Sequence, residues 1–212
     1  MPFESETKSL HDALISCKVS DIKTAVESAH AAGMPANDII DVLGNSMSEV
    51  GVLFERGKLF LPHVLSAANG MKVAMDLLGP EMAASAGDAK AAASVVMGTV
   101  EGDVHDIGKS ICSTMLQCAG FEVHDLGRDV PKQKFVDEVA GGCTFCGMSA
   151  LMTTTMTVQK DVIEMMKAAG IRDKVTVMVG GAPVTQAYAD KIGADLYGES
   201  ASETTRKAKE LI

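Results

Sequence analysis

The stretch Gly98-Thr-Val-Glu-Gly-Asp-Val-His-Asp-Ile-Gly-Lys109 holds the residues best suited to chemistry. Asp103, His105 and Gly108 are spaced Asp-x-His-x-x-Gly. An imidazole two residues from a carboxylate, on a turn followed by a glycine, suits a metal ligand whose second ring nitrogen the carboxylate holds. An apolar run, Ala91 to Met97, precedes the stretch, and a helical pattern of Ile107, Ile111 and Met115 follows it. The stretch is therefore predicted to leave the C-terminal end of a strand and enter a helix. Open α/β folds bind ligands on loops at that end of the sheet. A phosphate loop fits less well. Its pattern allows four residues between glycines, whereas five separate Gly102 from Gly108. Glu101, Asp103 and Asp106 would also repel a polyphosphate. The dinucleotide fingerprint needs two more glycines. On spacing alone, a surface loop with a solvated His105 explains the pattern as well as a metal ligand does.

The elements around this loop follow from periodicity. Strands are predicted near 93–98, 121–125, 144–148, 174–179 and 194–197. Helices are predicted near 107–119, 131–140, 153–169, 183–191 and 200–211. Such alternation gives a parallel sheet covered on both faces. Residues 127–131 form a loop at its ligand-binding edge. Residues 4–79 instead show helical periodicity alone. Leu10, Leu14 and Ile15 mark a first helix. Ile22, Ala25, Val26 and Ala29 mark a second, with Ser20-Asp21 as N-cap pair and Gly33 at its end. Ile39, Ile40, Val42, Leu43, Met47 and Val50 mark a third, after Pro35. Val64, Leu65, Ala68, Met71 and Met75 mark a fourth, starting at Pro62. Short connections make this a four-helix bundle. Met47, Met71 and Met75 are expected as core filler. Gly79 to about Ala91 reads as a linker, dividing the chain into 1–88 and 89–212.

Composition narrows the class. The 212 residues are 47% apolar, enough for a sizeable core. The net charge is −9, without the basic cluster that nucleic acid requires. Apolar runs fall far short of the ~20 residues that span a bilayer. The start, Met-Pro-Phe-Glu-Ser-Glu, lacks the basic and apolar regions of a signal peptide, so a cytoplasmic protein is expected. Five cysteines suit a reducing compartment. Cys143-x-x-Cys146 runs into the strand predicted over 144–148, where residues three apart face opposite ways. No second pair completes a zinc site. Packing thiols are expected there rather than ligands or a disulfide.

Two further pieces follow the first motif in order: Ser149-Ala-Leu151 and Gly180-Gly181. Together the three resemble the cobalamin-binding signature of corrinoid proteins and of cobalamin-dependent methionine synthase. The resemblance covers nearly the whole chain. It is strongest to the small corrinoid proteins of anaerobic methyltransferase systems acting on methylamines, methanol, betaines or aryl methyl ethers. It implies a four-helix bundle cap, then a Rossmann-like (flavodoxin-like) five-stranded parallel sheet with flanking helices. It also implies a cobalamin whose nucleotide tail detaches and threads into the protein. His105 would be the lower ligand of cobalt, Asp103 would fix its tautomer, and Ser149 would continue the relay. Val104, Asp106, Ile107 and Gly108 would meet the cofactor from the same loop. Gly180 and Gly181, with Leu151, Thr153 and Ala182, would line the tail channel, and Tyr197 and Gly198 would reach the nucleotide. The segment Phe54-Glu-Arg-Gly-Lys-Leu-Phe60-Leu61-Pro62 resembles the part of the bundle that covers methylcobalamin from above. Phe54 and Leu61 match the two apolar residues over the methyl group.

The implied function is methyl carriage on cobalt. A substrate:corrinoid methyltransferase would load Co(I). A corrinoid:tetrahydrofolate or corrinoid:coenzyme M methyltransferase would unload it. A reductive activase is a further implied partner; nucleic acid and membranes are not. Two rival readings share the motif. The cobalamin subunit of a mutase usually lacks the helical cap. A cobalamin-dependent sensor usually carries an output segment that this sequence does not display.

Overall fold

The computed structural model describes residues 3–85 and 93–212. The two periodicities become two compact units, Met1–Ala91 and Ala92–Ile212. The expected boundary between 88 and 89 lies outside the described residues.

The first unit holds α1 (Glu4–Ile15), α2 (Val19–Ala31), α3 (Ala36–Glu55) and α4 (Leu61–Ser85). Leu10, Leu14, Ile22, Val26, Ile39, Leu43, Val50, Val64 and Met71 are buried at helical spacing and form its core. Three expectations need correction. The α2 N-cap is Lys18, not Ser20 or Asp21. Cys17 adopts a left-handed φ of 56°, which turns the chain early enough for the helix to begin at Val19. Asp21 still lies in the first turn, where its charge suits the helix dipole. On α4, Leu65 and Met75 are 50% and 40% exposed, so they are not core. The buried stripe is Val64, Ala67, Met71, Ala74 and Leu78. Gly70 sets that rotation, because a Cβ there would meet Ile22 Cδ1 at 2.2 Å. The third correction concerns Gly79-Pro80, which does not begin a linker: α4 continues to Ser85. Just past the Gly-Pro pair, Glu81 Oε2 lies 2.6 Å from His30 Nε2 of α2. Residues 86–91 of the expected linker lie outside the described residues.

The second unit is a five-stranded sheet, β1 (Ser94–Thr99), β2 (Glu122–Asp125), β3 (Phe145–Ser149), β4 (Thr176–Gly180) and β5 (Leu196–Tyr197). All pairings are parallel and the order is β2-β1-β3-β4-β5. Its helices are α5 (Ile107–Cys118), α6 (Lys132–Ala140), α7 (Thr157–Ala168), α8 (Gln186–Ile192) and α9 (Ala201–Lys209). Strand residues alternate between two cores. Val95, Met97, Phe145 and Met178 pack with Cys112, Leu116 and Ala208 of α5 and α9. Val96, Cys146, Met148, Val177 and Val179 pack with α6, α7 and α8. Cys143 enters this second core together with Cys146. The opposite-face argument fails because β3 starts at Phe145, so Cys143 precedes the alternating segment. All five thiols are buried and unpaired in disulfides.

The order 2-1-3-4-5 reverses direction between β1 and β3, and a crevice opens outside the strand ends at that reversal. The Asp-x-His-x-x-Gly loop follows β1 and the Ser149–Thr155 segment follows β3. Topology therefore brings the two motifs together.

Candidate functional site

The loop after β1 is held from both sides. Thr99 N donates to Gly127 O at 2.9 Å, and Val130 N donates to Thr99 O at 3.0 Å. Asp129 Oδ1 accepts from Gly102 N at 2.7 Å, and Asp129 N donates to Asp103 O at 2.9 Å. Asp129 has a left-handed φ of 51°, rare for a non-glycine residue, and its two bonds to the His105 loop hold that conformation. Lys109 rules out the phosphate-loop reading directly. It is buried, and its ammonium lies 2.5 and 2.7 Å from the Asp125 carboxylate oxygens.

Asp103 is fully buried yet accepts five hydrogen bonds. Oδ1 takes the His105 backbone amide at 3.0 Å and His105 Nδ1 at 2.8 Å; Oδ2 takes the amides of Leu151 (2.8 Å) and Met152 (3.3 Å) and the Thr155 hydroxyl (2.7 Å). Burial opposes the charge. The bonds from Thr155, the His105 and Leu151 amides and the His105 ring outweigh it, and hold the carboxyl well below the usual carboxylate range. An ionised Asp103 makes Nδ1 the protonated ring nitrogen. Nε2 of the half-exposed imidazole is left as the lone-pair donor.

The relay continues to Thr155, not to Ser149. Ser149 ends β3 half-buried, and its backbone oxygen receives Val100 N at 3.0 Å. Thr155 enters because residues 152–156 form a turn rather than the first turn of α7. Met152 O accepts from Thr155 N at 3.2 Å and from Met156 N at 3.0 Å, and α7 starts at Thr157, four residues later than expected.

The remaining expected residues distribute around this edge. Val104, Ile107 and Leu151 are exposed by 56%, 66% and 44%. They give the rim of the crevice an apolar surface. Asp106 is the α5 N-cap residue and makes no side-chain cap bond. Gly108 lies in the first turn of α5, and a Cβ there would meet nothing within 4 Å. The protein's own packing thus does not require a glycine at 108. Thr153 and Ala182 are exposed beside the same loops. Gly180 pairs with Ser149, and Gly181 packs against the Ala150 backbone. Tyr197 ends β5 and Gly198 follows it, its carbonyl beside Gly180, but the Tyr197 side chain packs into the α6–α8 core. Phe54 and Leu61 belong to the helical unit, where they flank the α3–α4 turn, both half-buried. Sequence reasoning missed Ser113 as well as Thr155. The Ser113 hydroxyl on α5 is buried with no hydrogen-bond partner.

These features fit a corrinoid. A steered imidazole offers nitrogen to a borderline metal. An apolar rim suits a flat macrocycle, the open turn at Gly108 gives a tail room to pass, and the Ser113 hydroxyl is left over for a polar ligand atom. The fold and this edge define a cobalamin-binding protein. The chain belongs to the B12-binding domain family: one B12 binding domain model matches residues 93–206 and a second matches 7–78. It is 56% identical over 210 residues to dimethylamine corrinoid protein 2 of Methanosarcina acetivorans, covering 99% of this chain and 97% of that one. Among solved structures, it resembles a cobalamin-binding protein from Desulfitobacterium hafniense at 30% identity and TM-score 0.83, covering 98% of both chains. It also resembles a chain of the methanol:cobalamin methyltransferase complex of Methanosarcina barkeri at 31% identity and TM-score 0.79, covering 100% of this chain and 81% of that one. Among the described residues no helix is long and apolar enough to cross a membrane.

Proposed function

We propose that this chain is the methyl carrier of a methylamine methyltransferase system in the cytoplasm. It receives a methyl group from dimethylamine through a substrate:corrinoid methyltransferase. It yields the group to a second methyltransferase, whose acceptor is coenzyme M or tetrahydrofolate, and a reductive activase restores it after oxidation. The observation that carries this reading is the Asp103-steered His105 in a chain 56% identical to a dimethylamine corrinoid protein over 99% of its length. Five cysteines without a disulfide suit a reducing cytoplasm.

Bound corrinoid would supply a cobalt that takes up the methyl group as a nucleophile and releases it as a leaving group. The chain's own residues bind, orient and manage protons. His105 Nε2 would be the nitrogen that holds the cobalt. Asp103 holds its ring in one tautomer and strengthens donation. Thr155 keeps Asp103 ionised through its hydrogen bond. Val104, Ile107 and Leu151 form the apolar floor. Gly108, Gly180 and Gly181, with Thr153 and Ala182, would line the path of the tail, and Tyr197 and Gly198 would border its far end through their backbone.

The test loads the protein with hydroxocobalamin, reduces it, and supplies dimethylamine with a dimethylamine-specific methyltransferase. The expected products are the methylated carrier and monomethylamine in equal amounts. A protein that takes up no corrinoid, or that is methylated equally well without the partner enzyme, contradicts the reading.

A further inference from the structure

A second cluster of ligating side chains lies away from the cobalamin edge. His124, on the edge strand β2, has Nδ1 3.0 Å from Glu138 Oε2 on α6. The same nitrogen is 3.6 Å from Cys143 Sγ, in the turn between α6 and β3. The three donor atoms lie within 4.8 Å of one another, and among the described residues no other group of His, Cys, Asp and Glu converges in this way. We propose that His124, Glu138 and Cys143 form a binding site for a divalent metal ion of the zinc class, separate from the corrinoid.

The spacings suit the ion. Zinc bonds of about 2.0–2.3 Å at tetrahedral angles place nitrogen and oxygen donors about 3.3 Å apart, and nitrogen and sulfur about 3.6 Å apart. A thiolate, an imidazole and one carboxylate select zinc over magnesium or calcium, which prefer oxygen alone. The fourth residue supports the same reading. Glu122 Oε1 lies 3.5 Å from His124 Nε2, the ring nitrogen that the cluster does not use. An ion at Nδ1 would displace the proton that this nitrogen shares with Glu138, and the Glu122 carboxylate would hold the remaining ring proton on Nε2, as the outer partner of a metal-bound histidine does. Cys143 is buried, while His124 and Glu138 are partly exposed, so an ion has a path from solvent and room for a water as fourth ligand.

The position implies a structural role. His124 pairs with Val96 in mid-β1, and Cys143 precedes the N-terminal end of β3, whereas His105 lies beyond the C-terminal end of β1. An ion here joins the edge strand, α6 and the turn into β3. Its uptake displaces the Cys143 thiol proton and replaces the His124–Glu138 hydrogen bond. Without a metal, the same contacts amount to an ion pair of His124 with two carboxylates, beside a buried thiol.

The experiment uses the full chain loaded with cobalamin, stripped with a chelator, then dialysed against micromolar Zn²⁺. The expected result is one zinc per chain. Absorption spectroscopy at the zinc edge then shows one sulfur at about 2.3 Å among nitrogen and oxygen ligands at about 2.0–2.1 Å. Cys143→Ser and His124→Ala each weaken uptake more than about 100-fold, and Glu122→Gln weakens it by about 10-fold, as an outer partner does. Cys146→Ser leaves uptake unchanged, and an unaltered corrinoid spectrum in each variant reports an intact fold. In the unsubstituted protein, zinc also slows alkylation of Cys143. Failure to retain stoichiometric zinc, a ligand shell without sulfur, equal uptake by Cys143→Ser, or alkylation of Cys143 at the same rate with and without zinc overturns the proposal.

Discussion

Asp103→Asn is expected to weaken cobalamin retention by about 10–100-fold, the usual consequence of losing the partner of a metal-bound histidine. It is also expected to flatten the protein's acid-unfolding profile. The substitution keeps volume and an oxygen for His105. Its amide nitrogen then meets the Leu151 and Met152 backbone donors, which cannot turn to accept. Each buried donor left without a partner costs about 1–3 kcal/mol. The pH dependence follows from the direction of the shift. The folded carboxyl titrates below the unfolded value of about 3.9. Its stabilisation is therefore fully present above that value and is lost as pH falls below it toward the folded pKa. Denaturant midpoints of the cofactor-free protein, measured from pH 7 down to pH 3, should fall more steeply in wild type than in Asp103→Asn. Equal slopes contradict the assignment. Thr155→Ala should show a smaller loss of the same kind, and Ser149→Ala should leave both the retention and the slope intact.

Gly181→Ala is expected to destabilise the second unit by about 2–5 kcal/mol, combining left-handed strain of about 1–2 with overpacking of about 1–3. Gly181 has φ 119°, and a Cβ there would lie 1.8 Å from Ala150 O and 2.6 Å from its carbonyl carbon. Ala150 is fully buried and donates to Gly180 O at 3.1 Å, so the backbone has little freedom to yield. Any shift there moves Leu151, whose amide holds Asp103. Loss of stability and loss of cobalamin should therefore appear together. Gly108→Ala separates the two effects. Its Cβ enters open space, so the cofactor-free protein should keep or slightly gain stability, since alanine favours a helix over glycine by about 0.5–1 kcal/mol. Cobalamin uptake should nevertheless fall. Chemical denaturation and spectrophotometric cobalamin titration measure both. An unperturbed Gly181→Ala, or a Gly108→Ala that binds cofactor as wild type does, contradicts these roles.

The sheet was legible in the sequence because its strands are short apolar runs separated by helical periodicity, and each falls within a residue or two of its predicted position. The His105–Asp103 contact was legible because both residues sit on one short turn, where a spacing of two suffices. Thr155 was not. It ends a run of three threonines, and which of them reaches Asp103 depends on the turn at 152–156 and on the register of β1 against β3. Neither is a property of local sequence. Ser149 drew attention instead because it heads a motif, yet its place at the end of β3 keeps it out of the relay. The α4 errors have a similar origin. Leu65 is one residue from Val64 and equally apolar, and the packing of the whole stripe, with the close approach of Gly70 to Ile22 within it, places Val64 inward. His124, Glu138 and Cys143 come from a strand, a helix and a turn, and their convergence exists only once β2 packs beside α6.

The most direct test of the His105 assignment is electron paramagnetic resonance of the Co(II) form of the cobalamin-loaded protein, prepared with all histidines labelled with nitrogen-15. The axial nitrogen splits each cobalt line according to its own nuclear spin. Ligation by His105 predicts doublets in the labelled protein, triplets in the unlabelled protein, and no splitting in His105→Gly. Triplets that persist after labelling would assign the ligand to the cofactor's own benzimidazole, and doublets that persist in labelled His105→Gly would assign it to another histidine; either result contradicts His105 as the ligand of cobalt.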